Sequence, residues 1–321
     1  MASRLMLGFA QAAFGPTALI ILAASSPQDR LGRSTALFTA GSATGRSGAM
    51  IIGGGLLAVL SWSGWFGSVD PWRVAIILMT LPNLILAWWL WRRIRATGAP
   101  TPSRRGLRAA VRHIASTRAL ALHMGAGVAV ILLIQAGAGW APSVLNRSLH
   151  FAPATSAWVA GLVILIAAPA GHLTAGRWLD RNVAGRRRIA PVMTLGAALA
   201  VCGAALMASG DQAVLVLPGL FLLTAGGGAA ALTALGGLAP ITRPDMHGSV
   251  VSVYLAVCAV AGTGLGPVLT GLISDTFFPH AEGLARALFL TIAIAGALAI
   301  VLSLAGAEGW RRLATKSQNS H

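Results

Sequence analysis

Acidic residues are few in this chain of 321 amino acids. Asp29, Asp70, Asp180, Asp211, Asp245, Asp275, Glu282 and Glu308 complete the set, and each falls between apolar runs rather than inside one. No carboxylates stand paired, and neither a His-Glu-x-x-His zinc motif nor a serine elbow occurs, so the sequence does not read as an enzyme. The two cysteines, Cys202 and Cys258, lie within apolar runs. They read as small buried hydrophobes and exclude a disulfide framework or a cysteine metal site; no metal or cofactor is expected. A cleavable leader is also missing, because Arg4 alone makes a thin basic region and no small-residue cleavage site follows the apolar residues 5–24.

Hydrophobic residues fill the chain instead. They make up 56% of it and charged residues only 10%, against about 25% charged in soluble domains. A soluble fold could not hide that much apolar surface. A bilayer accounts for the placing of the acids, since a carboxylate at its centre costs roughly 2.5 to 3.5 kcal/mol. The 39 glycines and 15 prolines suit membrane helices too, where small residues let backbones approach and neighbours satisfy freed backbone groups. Apolar runs of about 20 residues, enough to cross about 30 Å of hydrocarbon, fall at about 4–24, 35–60, 74–91, 119–141, 156–176, 190–208, 213–239, 248–273 and 285–305. The expected fold is an all-α integral membrane protein of about nine spans.

A net charge of +16 would suit a nucleic-acid partner, but its distribution does not. Alternate connections hold Arg30 and Arg33, eight arginines from Arg92 to Arg118, five from Arg177 to Arg188, Arg243, and then Arg311, Arg312 and Lys316. The opposite side has only Arg4, Arg73, Arg147 and Arg286. That asymmetry is the positive-inside pattern; it predicts an N-terminus outside and a C-terminus in the cytoplasm, with the bilayer as partner and no nucleic acid. Within the longest basic connection, the amphipathic stretch 107–114 is expected to lie along anionic cytoplasmic lipid.

Polar residues inside the spans are candidates for function. Arg46 lies about a dozen residues into its run with no acidic partner in any span. Its planar fork suits a carboxylate or phosphate; pairing in helices upstream, or snorkelling to the cytoplasmic face, would account for it equally. Arg4, Gly8, Gln11 and Gly15 share one helical face. Gln135 and His172 are the polar residues of the fourth and fifth spans, and a histidine can carry a proton near neutral pH. Small residues at 41, 45, 49 and 53, and later Gly262, Gly266 and Pro267, predict close helix packing between two halves. A repeat supports two halves: a shift of 216 residues matches Gly32 to Gly248, Gly48 to Gly264 and Gly55 to Gly271, and sets Phe38 over Tyr254. The second half then looks complete and the first lacks its opening helices.

These residues resemble the major facilitator superfamily. Arg4-Leu-Met-Leu-Gly8, Gln11, Pro16 and Pro27-Gln-Asp-Arg-Leu-Gly-Arg33 look like its fourth helix and following loop. Pro71-Trp-Arg73 with Leu81-Pro82 is similar to its sixth, and Trp140-Ala-Pro142 to the outer end of its seventh. Gly176-Arg-Trp-Leu-Asp180-Arg181, closing with Gly185-Arg-Arg-Arg188, is similar to the loop between helices eight and nine, though two residues longer than usual. Gly264-Leu-Gly-Pro267 through Asp275 is similar to helix eleven of the spinster-like and organic-anion branches.

The resemblance maps the chain onto helices four to twelve of twelve. It implies the remainder of a first half at 1–91, a cytoplasmic linker at 92–118, a six-helix second half at 119–305 and a tail at 306–321. It further implies a secondary transporter of the inner membrane that moves a small organic solute by alternating access, driven by a proton or other ion. Arg4, Gln11, Arg46 and Gln135 would meet substrate, and His172 would couple a proton. Gly176, Asp180, Arg181, Gly185 and Arg186 would form a conformational latch, with glycine making its turn. The rival reading is a truncated membrane protein that does not transport, serving as a remnant, receptor or scaffold.

Overall fold

The apolar runs form helices because a backbone in hydrocarbon must satisfy its own hydrogen bonds. The computed structural model describes Ala18 and residues 31–63, 69–94, 104–180, 189–243, 246–280 and 283–318. Among these every regular element is helical: α1 (Leu31–Ser63), α2 (Pro71–Ile94), α3 (Arg104–Ser116), α4 (Arg118–Leu149), α5 (Pro153–Asp180), α6 (Ile189–Ala208), α7 (Ala213–Gly236), α8 (His247–Val257), α9 (Gly266–Phe277) and α10 (Leu284–Gln318). A π-helical segment, Cys258–Leu265, joins α8 to α9 without a break. Proline opens α2 and α5, where its missing N–H costs nothing. His150 ends α4 in the left-handed region at φ 53°.

Seven helices among the described residues are long and apolar enough to cross a membrane, the α8–α9 pair counting as one. They match the third to ninth expected spans. The first, at 4–24, lies outside the described residues apart from Ala18. The second is α1, a helix of 33 residues, whose glycines, serines and Arg46 keep it less apolar than the other seven.

Helices α4, α6, α7 and α10 form the core of the bundle; α5 lies on α7, and the α8–α9 rod lies on α4. α1 packs on α5, and α2 touches the rest through α1 at Leu60, Val74 and Ala75. α2 therefore leaves Ile76, Ile77, Leu81, Leu84 and Ile85 exposed around its circumference, as a helix facing lipid does.

The tightest contact is between α6 and α7. A Cβ on Gly196 would stand 2.6 Å from the Gly226 carbonyl oxygen, and one on Gly226 would stand 2.6 Å from that of Gly196. One heptad away, Gly203 and Gly219 face each other in the same way. These two antiparallel helices touch backbone to backbone, the packing small residues permit where lipid supplies no hydrophobic drive between helices.

The far end of α7 is closed by its neighbours. Buried His123 of α4 donates from Nε2 to the Ala234 carbonyl at 2.8 Å, and buried Trp310 of α10 donates from Nε1 to the Gly237 carbonyl at 2.9 Å. Helix-end carbonyls lack intrahelical partners, and here two other helices supply them. α10 thus continues as helix well beyond residue 305. At 35 residues it is about 50 Å long, more than the hydrocarbon alone requires.

One expectation changes. Cys258 is buried but Cys202 is exposed on α6, on a face the bundle does not cover. The connecting stretch at 104–116 is a helix docked on α8, with Ala110 buried in the core and Ile114 packed against it.

Replacing Gly226 by Leu should force α6 and α7 apart, costing about 1 to 3 kcal/mol and lowering Tm by roughly 2 to 5 °C in a circular-dichroism melt of the detergent-solubilised protein. Gly55→Ala, at a position where a Cβ meets nothing within 4 Å among the described residues, should leave Tm unchanged or raise it by about 1 to 2 °C, because alanine favours helix over glycine.

Candidate functional site

Arg46 lies near the middle of α1, half-buried, and is bonded to no group among the described residues. The residue after it, Ser47, is fully buried. Around Arg46 the helix has two different sides. On one, Ser47, Met50, Ile51 and Gly54 meet α5: a Cβ on Gly54 would stand 2.8 Å from the Ala154 carbonyl oxygen, and one on Gly161 would stand 3.1 Å from that of Ser47. On the other, Cβ atoms on Gly41, Gly45 and Gly48 would meet nothing within 4 Å among the described residues. Arg46 lies at the rim of that packed contact, on the same helical face as Gly53, which meets Met79 of α2; no ion pair among the described residues engages its fork, which suits an anion.

The glycine stripe expected at the junction of the halves is therefore displaced. Gly41 and Gly45 are open and Gly53 faces Met79 of α2, whereas Gly54, outside the stripe, takes the contact with α5. Gly262 and Gly266 also serve a different contact. They lie against Ile131, Leu132 and Ala136 of α4, because the α8–α9 rod packs on α4 and not on α1.

Gln135 of α4 donates to the Thr263 hydroxyl at 2.8 Å. One turn further, Trp140 donates from Nε1 to the Pro267 carbonyl at 2.9 Å. Both bonds reach the π segment or the residues just after it. A π turn widens the helix and leaves backbone and side-chain groups for other partners, and such turns gather at functional sites. Sequence reading found Gln135 but not Thr263; the cluster Gly262-Thr-Gly-Leu-Gly266, which weakens regular helix, was the available signal.

His172 is half-buried on α5. Its Nδ1 donates to the Ala168 carbonyl of its own helix at 2.6 Å, and its ring lies over Gly228 of α7. A carbonyl can only accept, so Nδ1 carries the hydrogen and Nε2 keeps a lone pair. No hydrogen bond or ion pair joins Arg46, Gln135 and His172 to one another.

Gly176 sits inside α5, about one turn before its end at Asp180, and not in the expected turn. A Cβ there would make only an ordinary contact with Leu232. Arg181, Gly185 and Arg186, like Arg4 and Gln11, lie outside the described residues. No group of three His, Cys, Asp or Glu side chains among the described residues is placed to hold a metal.

The family model of the Major Facilitator Superfamily matches residues 1–262. No curated protein matches the chain. The fold is similar to two crystal structures of a bacterial homologue of the human lysosomal transporter Spinster. One is inward-facing and occupied, with a TM-score of 0.65, 16% identity, and 94% of this chain and 73% of that one covered. The other is inward-facing and unoccupied, with a TM-score of 0.64, 16% identity, and 94% and 74% covered. At that identity the likeness is one of fold. By the family match and its multi-pass helical fold, the chain belongs to the Major Facilitator Superfamily and is a membrane transporter, not an enzyme.

Proposed function

We propose that this chain moves a small organic anion or an amphipathic metabolite across the cytoplasmic, or inner, membrane by alternating access. Its two parts, 1–91 and 119–305, rock about a site near the midplane, joined by the basic linker 92–118 and followed by the tail 306–321. The basic connections face the cytoplasm, so the N-terminus lies outside and the C-terminus inside. What carries the reading is Arg46, a half-buried cation in a helix interior, bonded to nothing among the described residues. A guanidinium held there attracts an anionic group strongly, because a site poor in water screens charge weakly.

Other residues take supporting roles. Arg4 and Gln11 add a cation and an amide from the first helix, and Gln135 contributes its remaining acceptor and donor beside Thr263. His172 accepts a coupling proton at Nε2. Gly176, Asp180, Arg181, Gly185 and Arg186 form the latch, in which a carboxylate at a helix end works against flanking arginines.

In proteoliposomes, counterflow of labelled mono- and dicarboxylates and of amphipathic anions should identify at least one substrate. Arg46→Lys, which keeps the charge but loses the bidentate fork, should reduce that flux about tenfold or more with normal expression and Tm. Wild-type flux in that variant removes Arg46 from the site, and no flux by the unaltered chain favours the non-transporting reading. His172→Gln should weaken the response of net uptake to an imposed pH gradient while exchange, which moves no net proton, continues. An unchanged response would exclude His172 as the carrier.

A further inference from the structure

The rod from His247 to Phe277 has two different neighbours along its length. Its outer part, α9, lies along α10, whereas α8 leans on α3 and does not pack along α10. The space left between them is a groove of about 650 Å³. Val128 and Leu132 of α4 line its floor, Val253 and Val257 of α8 one wall, Leu298 of α10 the other, and Ile114 of α3 one end. The one hydroxyl in the lining, that of Thr291, is already bonded to the Ala287 carbonyl at 2.9 Å. A polar guest would find no partner inside, so the groove selects hydrocarbon.

Helix α3 supplies the complement to that apolar interior. Going round it, buried Ala110 and half-buried Ile114 give way to Leu107 and Val111, each 50% exposed, and then to exposed Arg108 and Arg112. The i, i+4 spacing places the two leucine and valine side chains on one stripe and the two arginines on the next. Such a helix lies in the plane of a membrane surface, with its apolar edge dipped into acyl chains and its cations at the phosphates. Here it also stands at the mouth of a hydrocarbon groove that opens from a membrane-spanning bundle.

We propose that an anionic bilayer phospholipid occupies this groove, with one acyl chain between α8 and α10 and its phosphate paired with Arg108 and Arg112. The chain completes the packing that α8 lacks, and the head group holds α3 against α8. This site is separate from Arg46 and does not rest on the transport reading.

Native mass spectrometry of the full chain in dodecylmaltoside, with phosphatidylglycerol or phosphatidylcholine added, tests it. The unaltered chain should retain one phosphatidylglycerol, about tenfold more than phosphatidylcholine. Val257→Trp and Leu298→Trp, at positions 44% and 50% exposed where a larger side chain fits without disturbing the core, should each reduce retention of both lipids at least fivefold. Arg108→Gln combined with Arg112→Gln should reduce phosphatidylglycerol to the phosphatidylcholine level and leave phosphatidylcholine unchanged. Inorganic phosphate in millimolar excess should displace nothing. Full retention in both tryptophan variants, an undiminished anionic preference in the double glutamine variant, or displacement by phosphate would each overturn the proposal. So would a failure of the unaltered chain to retain either lipid.

Discussion

The structure depends on one constraint: in hydrocarbon, helices gain nothing by hiding apolar surface from each other, so they must be held by close packing and a few polar bonds. The α6–α7 contact meets it with two reciprocal glycine pairs one heptad apart. The end of α7 meets it with His123 and Trp310 bonded to its carbonyls. The α8–α9 rod meets it with Gly262 and Gly266 against α4 and with the bonds from Gln135 and Trp140. Large apolar side chains, which would form the core of a soluble protein, are instead turned outward along α2, α9 and α10.

Against that background the unsatisfied positions gain meaning. Most polar side chains of the spans are bonded to a neighbouring helix or to the previous turn of their own. Among the described residues Arg46 is an exception, and the same helix that carries it packs on α5 through a different face. The π segment provides a second local departure from regular helix, where Gln135 and Trp140 fix a rod that would otherwise be loosened by its glycines.

Much of the fold was legible because the bilayer imposes a coarse rule on sequence. Run length, the exclusion of acids and the sidedness of arginines give spans and boundaries without any knowledge of neighbours, and Pro71 and Pro153 mark helix starts by a local rule. What the sequence concealed was which face meets which partner. Gly54 and Gly53 are adjacent in sequence, yet one abuts α5 and the other α2. Composition could not distinguish Cys202, exposed, from Cys258, buried, since lipid and protein interiors accept the same side chains. Gly176 was set at the end of its span and the start of a loop, whereas in this bundle α5 runs through it to Asp180. His123 and Trp310 carried no pattern at all: their partners are carbonyls, which every residue has.

The central claim is that the open side of α1 is a solute pathway that faces each side of the membrane in turn. Gly45→Cys, introduced with Cys202 and Cys258 replaced by Ala, places a thiol where a side chain meets nothing within 4 Å among the described residues. A membrane-impermeant maleimide, applied to sealed right-side-out and inside-out vesicles, measures access from each side. The account predicts reaction from both sides, slowed by a transported anion. Reaction from one side only, or from neither, would contradict it.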